Sequence, residues 1–166
     1  MSKNQPAPFR GMAAGLAGGI LASFAMNAFQ KGWSRFVTMP KGEDPATVKA
    51  AQRASRASTG EYFAKENKKD AGSGVHYLFG ASVGAAYGLL AEYRPVVTRG
   101  FGSGLALVST TAFDEAGVPA MGLSEPPTSF GAKTHLYAYA SHFVFGGVTE
   151  GVRRLLRSSG SSTRSA

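Results

Sequence analysis

The stretch Gly11–Gln30, GMAAGLAGGILASFAMNAFQ, decides the fold, because its twenty residues include no charged side chain. A second stretch with the same property, AGSGVHYLFGASVGAAYGLLA, occupies Ala71–Ala91. About 20 largely apolar residues, at about 1.5 Å of helical rise each, cross the hydrocarbon core of a bilayer. The two stretches therefore predict membrane-spanning helices.

Two weaker charge-free windows follow, at residues 100–113 and 134–149. The third reaches spanning length only by including Asp114 and Glu115, and Glu150 closes the fourth. The sequence thus predicts an all-α fold, an integral membrane bundle of about four transmembrane helices in one domain, residues 1–152. The predicted spans are about 11–30, 75–93, 100–122 and 134–152.

The composition of the 166-residue chain narrows the possible classes of protein. It has no cysteine, which excludes disulfides, thiolate metal sites and cysteine nucleophiles. A soluble Gly/Ala-rich helical domain is the main alternative, since the mean hydropathy is −0.08. Yet the chain has 22 glycines, and each one inside a water-exposed helix costs up to about 1 kcal/mol relative to alanine. Glycine is common in membrane helices, so we favour the membrane interpretation.

Small residues recur every four positions in the predicted spans. Such residues share one helical face and let two backbones approach closely in a membrane. The pattern predicts tight helix–helix packing inside the bundle, in preference to a glycine-lined pore or an oligomer interface. The glycines concerned are Gly11, Gly15 and Gly19 in the first span, Gly80, Gly84 and Gly88 in the second, and Gly146 in the fourth.

Ionisable residues also occur in or at the ends of the predicted spans. They are His76, Glu92, Asp114, Glu115, His135, His142 and Glu150. Alternating helices place His76, Asp114-Glu115 and His135 toward one membrane surface. Glu92 and Glu150 then lie toward the other surface, close to several arginines, with His142 near mid-depth.

Titratable groups inside a bilayer are costly unless they face the interior and have partners. One hypothesis is a proton- or ion-responsive cluster of the three histidines with Asp114 or Glu115 as counter-charges. The alternative is a set of ordinary ion pairs at the membrane interface. We favour ion pairs with the neighbouring arginines for Glu92 and Glu150, and leave the role of the histidines open.

The segment between the first two spans, residues 31–74, is polar and basic. It predicts a helix over about 45–59 that lies on the membrane surface, near anionic lipid head groups. The segment has few aromatic residues, which argues against nucleic-acid binding despite the formal net charge of +8. The Ser/Arg-rich residues 153–166 predict a disordered basic tail. The distribution of Lys and Arg favours both termini in the cytoplasm.

The sequence offers little support for catalysis or for a cofactor. It contains neither a Walker loop nor a GxGxxG fingerprint, and Ser141 and His142 are adjacent, so they point to different sides of a helix. His135 and His142 are two turns, about 10 Å, apart on a helix, too far for one metal ion. We therefore predict a protein that is not an enzyme and has no cofactor, with the presence of a metal left unknown.

Several of these motifs together resemble the YagU-like family of small bacterial inner-membrane proteins. The matching segments are Gly11–Asn27 followed by Trp33, Ala46–Ala51, His76–Gly80 with Gly88 and Glu92, Thr134-His135, and Ser141-His142 with Gly146 and Glu150. The resemblance runs from about residue 10 to 152. It implies a multi-pass inner-membrane protein and carries no established activity or ligand.

Three functions follow as hypotheses. The first is a proton- or ion-responsive protein that contributes to pH or envelope homeostasis through its intramembrane histidines and acids. The second is a structural or assembly subunit that packs through its glycine faces against a larger membrane complex or a second copy of itself. The third, with the least support, is a metal- or cofactor-binding helical bundle.

Overall fold

A computed structural model of the chain describes residues 6–35 and 44–162, with side chains up to residue 159. This part of the chain is helical and contains no strand. Short 3₁₀ turns at Lys65–Asn67, Pro95–Thr98 and Pro127–Ser129 connect its longer elements. These are α1 (Pro8–Trp33), α2 (Ala46–Thr59), α3 (Lys68–Tyr93), α4 (Ser103–Val108), a π-helical segment (Ser109–Gly117), α5 (Val118–Ala120) and α6 (Ala132–Ser162).

The two glycine rows face each other along an antiparallel contact between α1 and α3. A β-carbon added at Gly15 would lie under 3.0 Å from the Gly84 carbonyl oxygen, and one at Gly19 would meet Gly80 in the same way. Gly88 makes the corresponding approach to Gly11. We call this contact the glycine seam, and it leaves no room for any side chain between the two backbones.

α1 uses a second face to contact α6. Gly18, which is outside the four-residue row, lies against the backbone of Thr149. Farther along α1, Ala22 and Met26 form a small buried core with Phe145. α1 therefore lies between α3 and α6 and runs antiparallel to both.

α4 and the π-helical segment lie against α6, also antiparallel to it. Gly102, at φ +84°, approaches the Gly146 backbone so closely that a β-carbon at either position would clash with a carbonyl oxygen. Near the other end of this contact, the hydroxyls of Thr111 and Tyr139 are 3.1 Å apart. The four long helical regions consequently alternate in direction along the chain.

The third predicted span, 100–122, is an interrupted helix. Regular α geometry gives way to π geometry from Ser109 to Gly117 and returns for one short turn at Val118–Ala120. Pro119 cannot donate the hydrogen bond that would continue a regular α-helix. The region is therefore a less regular element than the other three.

α2 forms over 46–59, in agreement with the predicted 45–59. It ends at Gly60, whose φ of +80° is readily adopted by glycine. Val48 packs at Gly72 of α3, and Gln52 exchanges two hydrogen bonds with the backbone of Phe63. The helix is thus attached to α3.

The structure corrects the predicted disordered tail. α6 continues to Ser162, so residues 153–162 are helical, while 163–166 lie outside the described residues. Arg153, Arg154 and Arg157 make ion pairs with Glu150 and Glu92, which supports helix beyond the predicted end at 152. The composition of this segment indicated disorder because it does not reveal those partners.

Two helical runs, Pro8–Trp33 and Lys65–Tyr93, are long and apolar enough to cross a membrane. In their most apolar windows, 39% and 33% of the residues are buried inside the structure. Large apolar side chains point outward, as with Phe24, Leu78 and Leu136, which are 66%, 69% and 60% exposed. Glycine, alanine and serine fill much of the interior, so small residues are inside and large apolar residues outside.

Candidate functional site

The ionisable residues gather at two opposite ends of the bundle. The arginine end contains Glu92 and Glu150 with the arginines that pair with them. The cavity end contains His76, Asp114, Glu115, His135 and His142, around and beside a large cavity. The two groups differ in how fully their polar atoms have partners.

Glu150 is the centre of the arginine end and has no exposed surface. Its carboxylate accepts two hydrogen bonds from Arg153, at 2.7 and 2.9 Å, and one from Arg154 at 2.5 Å. The hydroxyl of Tyr87 donates a fourth, at 2.9 Å. These hydrogen bonds to the Glu150 carboxylate raise the pKa of Arg153. Such a saturated carboxylate stabilises the fold and has no free lone pair for chemistry.

Glu92 makes a second satisfied cluster at the same end. The Arg157 guanidinium contacts both of its oxygens, at 2.7 and 2.8 Å, and the backbone N–H of Ala7 donates to it at 2.9 Å. Gly11 leaves room for this side chain, since a β-carbon there would lie against Cγ of Glu92. The favoured ion-pair interpretation of both glutamates agrees with these contacts, with Arg157 as an additional partner.

The cavity at the opposite end has a volume of about 930 Å³ and lies among α1, α2, α3, the π-helical segment and α6. This volume is near the upper end of the range for small-molecule sites, about 300–1,000 Å³. Its walls are largely apolar and include Met26, Val83, Phe113 and Phe145.

His76, Asp114 and His142 all line this cavity. They come from α3, the π-helical segment and α6, and His142 lies close enough to each of the other two to interact with it electrostatically. Nδ1 of His142 is 2.9 Å from the Ala138 carbonyl oxygen. Because a carbonyl can only accept, that nitrogen carries the hydrogen.

His76 has an unsatisfied polar atom. Its Nε2 is buried and has no hydrogen-bond partner within the described residues. The Oγ of Ser109, another residue lining the cavity, is likewise buried and unpaired there. Buried polar atoms normally have partners, so these two atoms are unusual points on the cavity wall.

His135 and Glu115 form a separate pair beside the cavity. Nδ1 of His135 is 2.7 Å from Oε1 of Glu115, and Nε2 is 3.1 Å from the Pro127 carbonyl oxygen. Both ring nitrogens face acceptors, which is the pattern of a charged imidazolium. The structure therefore separates His135 and Glu115 from the residues that line the large cavity.

The π-helical geometry puts Asp114 on the cavity wall and Glu115 against His135. π-Helical turns are rare and often occur at functional sites. Neighbouring residues point in different directions around a helix, so these two adjacent acids have different partners.

The predicted residues do not make a metal-binding group. Across residues 6–35 and 44–162, no three histidine or acidic side chains converge closely enough to hold an ion. His76, His142 and Asp114 surround a space wide enough for a larger ligand.

Several residues of these sites carried no sequence signal. Tyr87 and Ser109 are an ordinary aromatic and an ordinary serine within apolar runs, and Arg157 belonged to the segment predicted to be disordered. Arg53 donates to the carbonyl oxygens of Met121 and Gly122 and so ties α2 to the loop before α6. Long-range partners of this kind leave no periodic pattern in the sequence.

No protein-family model, curated protein or solved structure gives a significant match to this chain. The resemblance to the YagU-like family accordingly stays an expectation based on its motifs.

Proposed function

We propose that this chain is a multi-pass protein of the bacterial inner membrane, not an enzyme, whose cavity responds to protons through His76, Asp114 and His142. A role in pH or envelope homeostasis follows from such a response. The observation that carries the proposal is that these three side chains, from three separate elements, line one cavity.

The outward apolar surface supports the membrane part of the proposal. A soluble protein buries its apolar helices, whereas about two thirds of the most apolar windows of α1 and α3 are not buried inside the structure. Large exposed apolar patches on a folded protein mark contact with a membrane or a partner. The close glycine packing of α1 and α3 is also the kind that stabilises helix pairs in lipid.

The proton-responsive part rests on the ring nitrogens of the histidines. Nε2 of His76 is buried without a hydrogen-bond partner among the described residues, and Nδ1 of His142 faces the Ala138 carbonyl oxygen, whereas both nitrogens of His135 are engaged by an acid and a carbonyl. Histidine changes charge between about pH 5 and 8. Protonation of His76 and His142 would add positive charge around Asp114, which favours a rearrangement of the cavity walls.

The structure counts against the glycine faces as docking surfaces for a larger complex. The glycines of the seam are used within the chain, as are Gly18 and Gly146. An assembly role would have to use the outward apolar side chains instead. The proton-responsive function is therefore the better supported of the two.

The single tryptophan gives a native reporter for this proposal. Trp33 packs against Tyr137, with ring centroids 6.1 Å apart, and Tyr137 lines the cavity. We expect the fluorescence of Trp33 in proteoliposomes to change sigmoidally between about pH 5 and 8. Proton flux measured in the same vesicles separates conduction from sensing.

Histidine variants supply the matched comparison. His76→Gln and His142→Gln should flatten the pH response, whereas His135→Gln should retain it, because His135 belongs to a separate ion pair. A wild-type signal that is independent of pH, together with an absence of flux, would refute the proposal. An equal loss in all three variants would refute the assignment to the cavity.

The lack of cysteine makes the membrane topology directly testable. Single cysteines at Ser58, Thr98, Ser124 and Ser159 can be labelled from one side of the membrane in intact cells. Four spans predict that Thr98 and Ser159 share the cytoplasmic side and that Ser58 and Ser124 share the other. Two spans, or none, would give a different pattern of accessibility.

A further inference from the structure

Three lysines surround the entrance of the cavity. Lys65, Lys68 and Lys69 all line it, at the start of the helical run that includes α3. Lys68 is paired with Asp44 at 2.6 Å. Lys65 and Lys69 are exposed and make no ion pair with a described residue. These three lysines outnumber the two carboxylates that line the cavity, Asp44 and Asp114, so the lining has an excess of positive charge.

The interior of the same cavity is mostly apolar. Met26 and Phe145 come from the buried core between α1 and α6, and Val83 packs against that core. Phe113 adds an aromatic surface from the π-helical segment. A ligand that matches this site has an apolar chain for the walls and an anionic group for the lysines.

The carboxylate of Asp114 does not cancel the preference of the cavity for an anionic group. Asp114 comes from the π-helical segment, whereas Lys65 and Lys69 come from the start of the run that includes α3 and make no ion pair with a described residue. If α3 spans the membrane as proposed, its first turn lies near the membrane surface, at the depth of the lipid head groups. The unpaired Oγ of Ser109 marks a second polar point on the wall.

We infer that the cavity binds a single-chain anionic amphiphile, with its carboxylate at Lys65 and Lys69 and its acyl chain along the apolar walls. The inference rests on the proposed function for the membrane placement of α3. It does not depend on protonation of the histidines. An apolar chain that ends in one carboxylate matches the apolar walls and the lysines, so the ligand class proposed is a long-chain fatty acid.

A brominated fatty acid tests the inference, since bromine quenches tryptophan fluorescence at short range. Dibromostearate is titrated into nanodiscs of phosphatidylcholine that contain the full chain, and quenching of Trp33 is followed. We expect saturable quenching. The double variant Lys65→Glu/Lys69→Glu should weaken the apparent affinity at least tenfold.

A matched double charge reversal controls for non-specific attraction to the protein. Arg94→Glu/Arg99→Glu changes two exposed cations at the opposite end of the bundle and should leave quenching unchanged. Val83→Phe and Ser109→Phe narrow the cavity and should each reduce saturable quenching. Because the lysine substitutions are on the surface, their result stands even if a narrowing variant fails to fold.

Three results would overturn the inference. They are quenching that does not saturate, quenching that the lysine reversal leaves intact, and stronger quenching by a brominated trimethylammonium amphiphile that is lost in Asp114→Asn. The pH response of Trp33 without added amphiphile is measured on the same samples. A retained pH response with no fatty-acid binding refutes this inference alone, whereas loss of the pH response in the wild type refutes the proposed function.

Discussion

The two ends of the bundle use similar residue types in opposite ways. At the arginine end, the Glu150 carboxylate accepts four hydrogen bonds and has no exposed surface. At the cavity end, Asp114 and His142 border about 930 Å³ of open space, and Nε2 of His76 is buried without a partner among the described residues. The glutamates of the arginine end are saturated, although Oγ1 of Thr149 beside them is also buried without a partner among the described residues. The contrast is therefore between Glu150 and the ionisable groups that line the cavity.

This difference indicates how stability and function are divided along the bundle. A buried charge with all its partners resists substitution, because removal of one partner leaves the other charge uncompensated. A buried polar group without a partner instead costs stability. The number of partners, more than the residue type, therefore separates the structural end from the candidate functional end.

The largest expected effect comes from breaking the glycine seam that links both ends. Gly84→Leu places a side chain where the backbone of Gly15 lies. Overpacking usually lowers the stability of a protein by about 1–3 kcal/mol and occasionally by more. We expect a loss of stability above that range, because the added side chain clashes with backbone atoms. Thermal unfolding in detergent measures this loss.

Gly74→Leu is the control on the same helix, since a β-carbon there meets nothing within 4 Å. It should leave the unfolding temperature almost unchanged. An equal loss of stability in both variants would show that leucine destabilises α3 at either position, independently of the glycine seam.

The second effect separates the two ends directly. Glu150→Gln leaves Arg153 and Arg154 near the interior without their counter-charge, and removing one partner of a buried ion pair costs about 3–5 kcal/mol. Asp114→Asn, the same kind of change at the cavity end, should cost far less, because Asp114 has no ion pair among the described residues. Chemical denaturation of both variants in detergent tests the contrast, and equal losses would contradict it.

The third substitution is expected to increase stability, whereas the first two decrease it. His76→Leu replaces a side chain with an unpaired buried nitrogen by an apolar one of similar size. An unsatisfied buried polar group costs about 1–3 kcal/mol, so this variant should be more stable than the wild type by up to about that amount while losing the pH response. Lower stability would show that Nε2 has a partner that the described residues do not reveal.

The smallest effect concerns the pair beside the cavity. His135→Gln removes a partly exposed ion pair with Glu115, and such pairs contribute about 0–1 kcal/mol. The unfolding midpoint should move only slightly. A loss as large as that of Glu150→Gln would place His135 among the saturated structural charges of the molecule.

Helix periodicity made much of the fold predictable. The four-residue spacing of glycines in two charge-free windows predicted a close contact, and the seam lies between those residues. Gly18 was missed because it is next to the row instead of in it, although it makes the contact with α6. The sequence did not distinguish the face of α1 that meets α3 from the face that meets α6.

The sequence predicted which ionisable residues lie at each end of the bundle but not which residues they pair with. Alternating helix directions were enough to place Glu92 and Glu150 at one end and His76 and His135 at the other. That Arg157 pairs with Glu92, and that Tyr87 donates to Glu150, depends on how each helix is rotated about its axis. Short connections between helices restrict the direction in which each helix runs, but they do not fix how the helix is rotated about its own axis.

The sequence by itself determined that the chain forms helices, that two of them are long and apolar, and that small residues line their contact, because charge and residue size repeat with the helical period. The tertiary structure alone decided which ionisable groups share the cavity. Successive residues of an α-helix point about 100° apart, and the π-helical segment shifts that phase near Asp114 and Glu115. Adjacent acids thus have different surroundings, which only the packed arrangement of the helices defines.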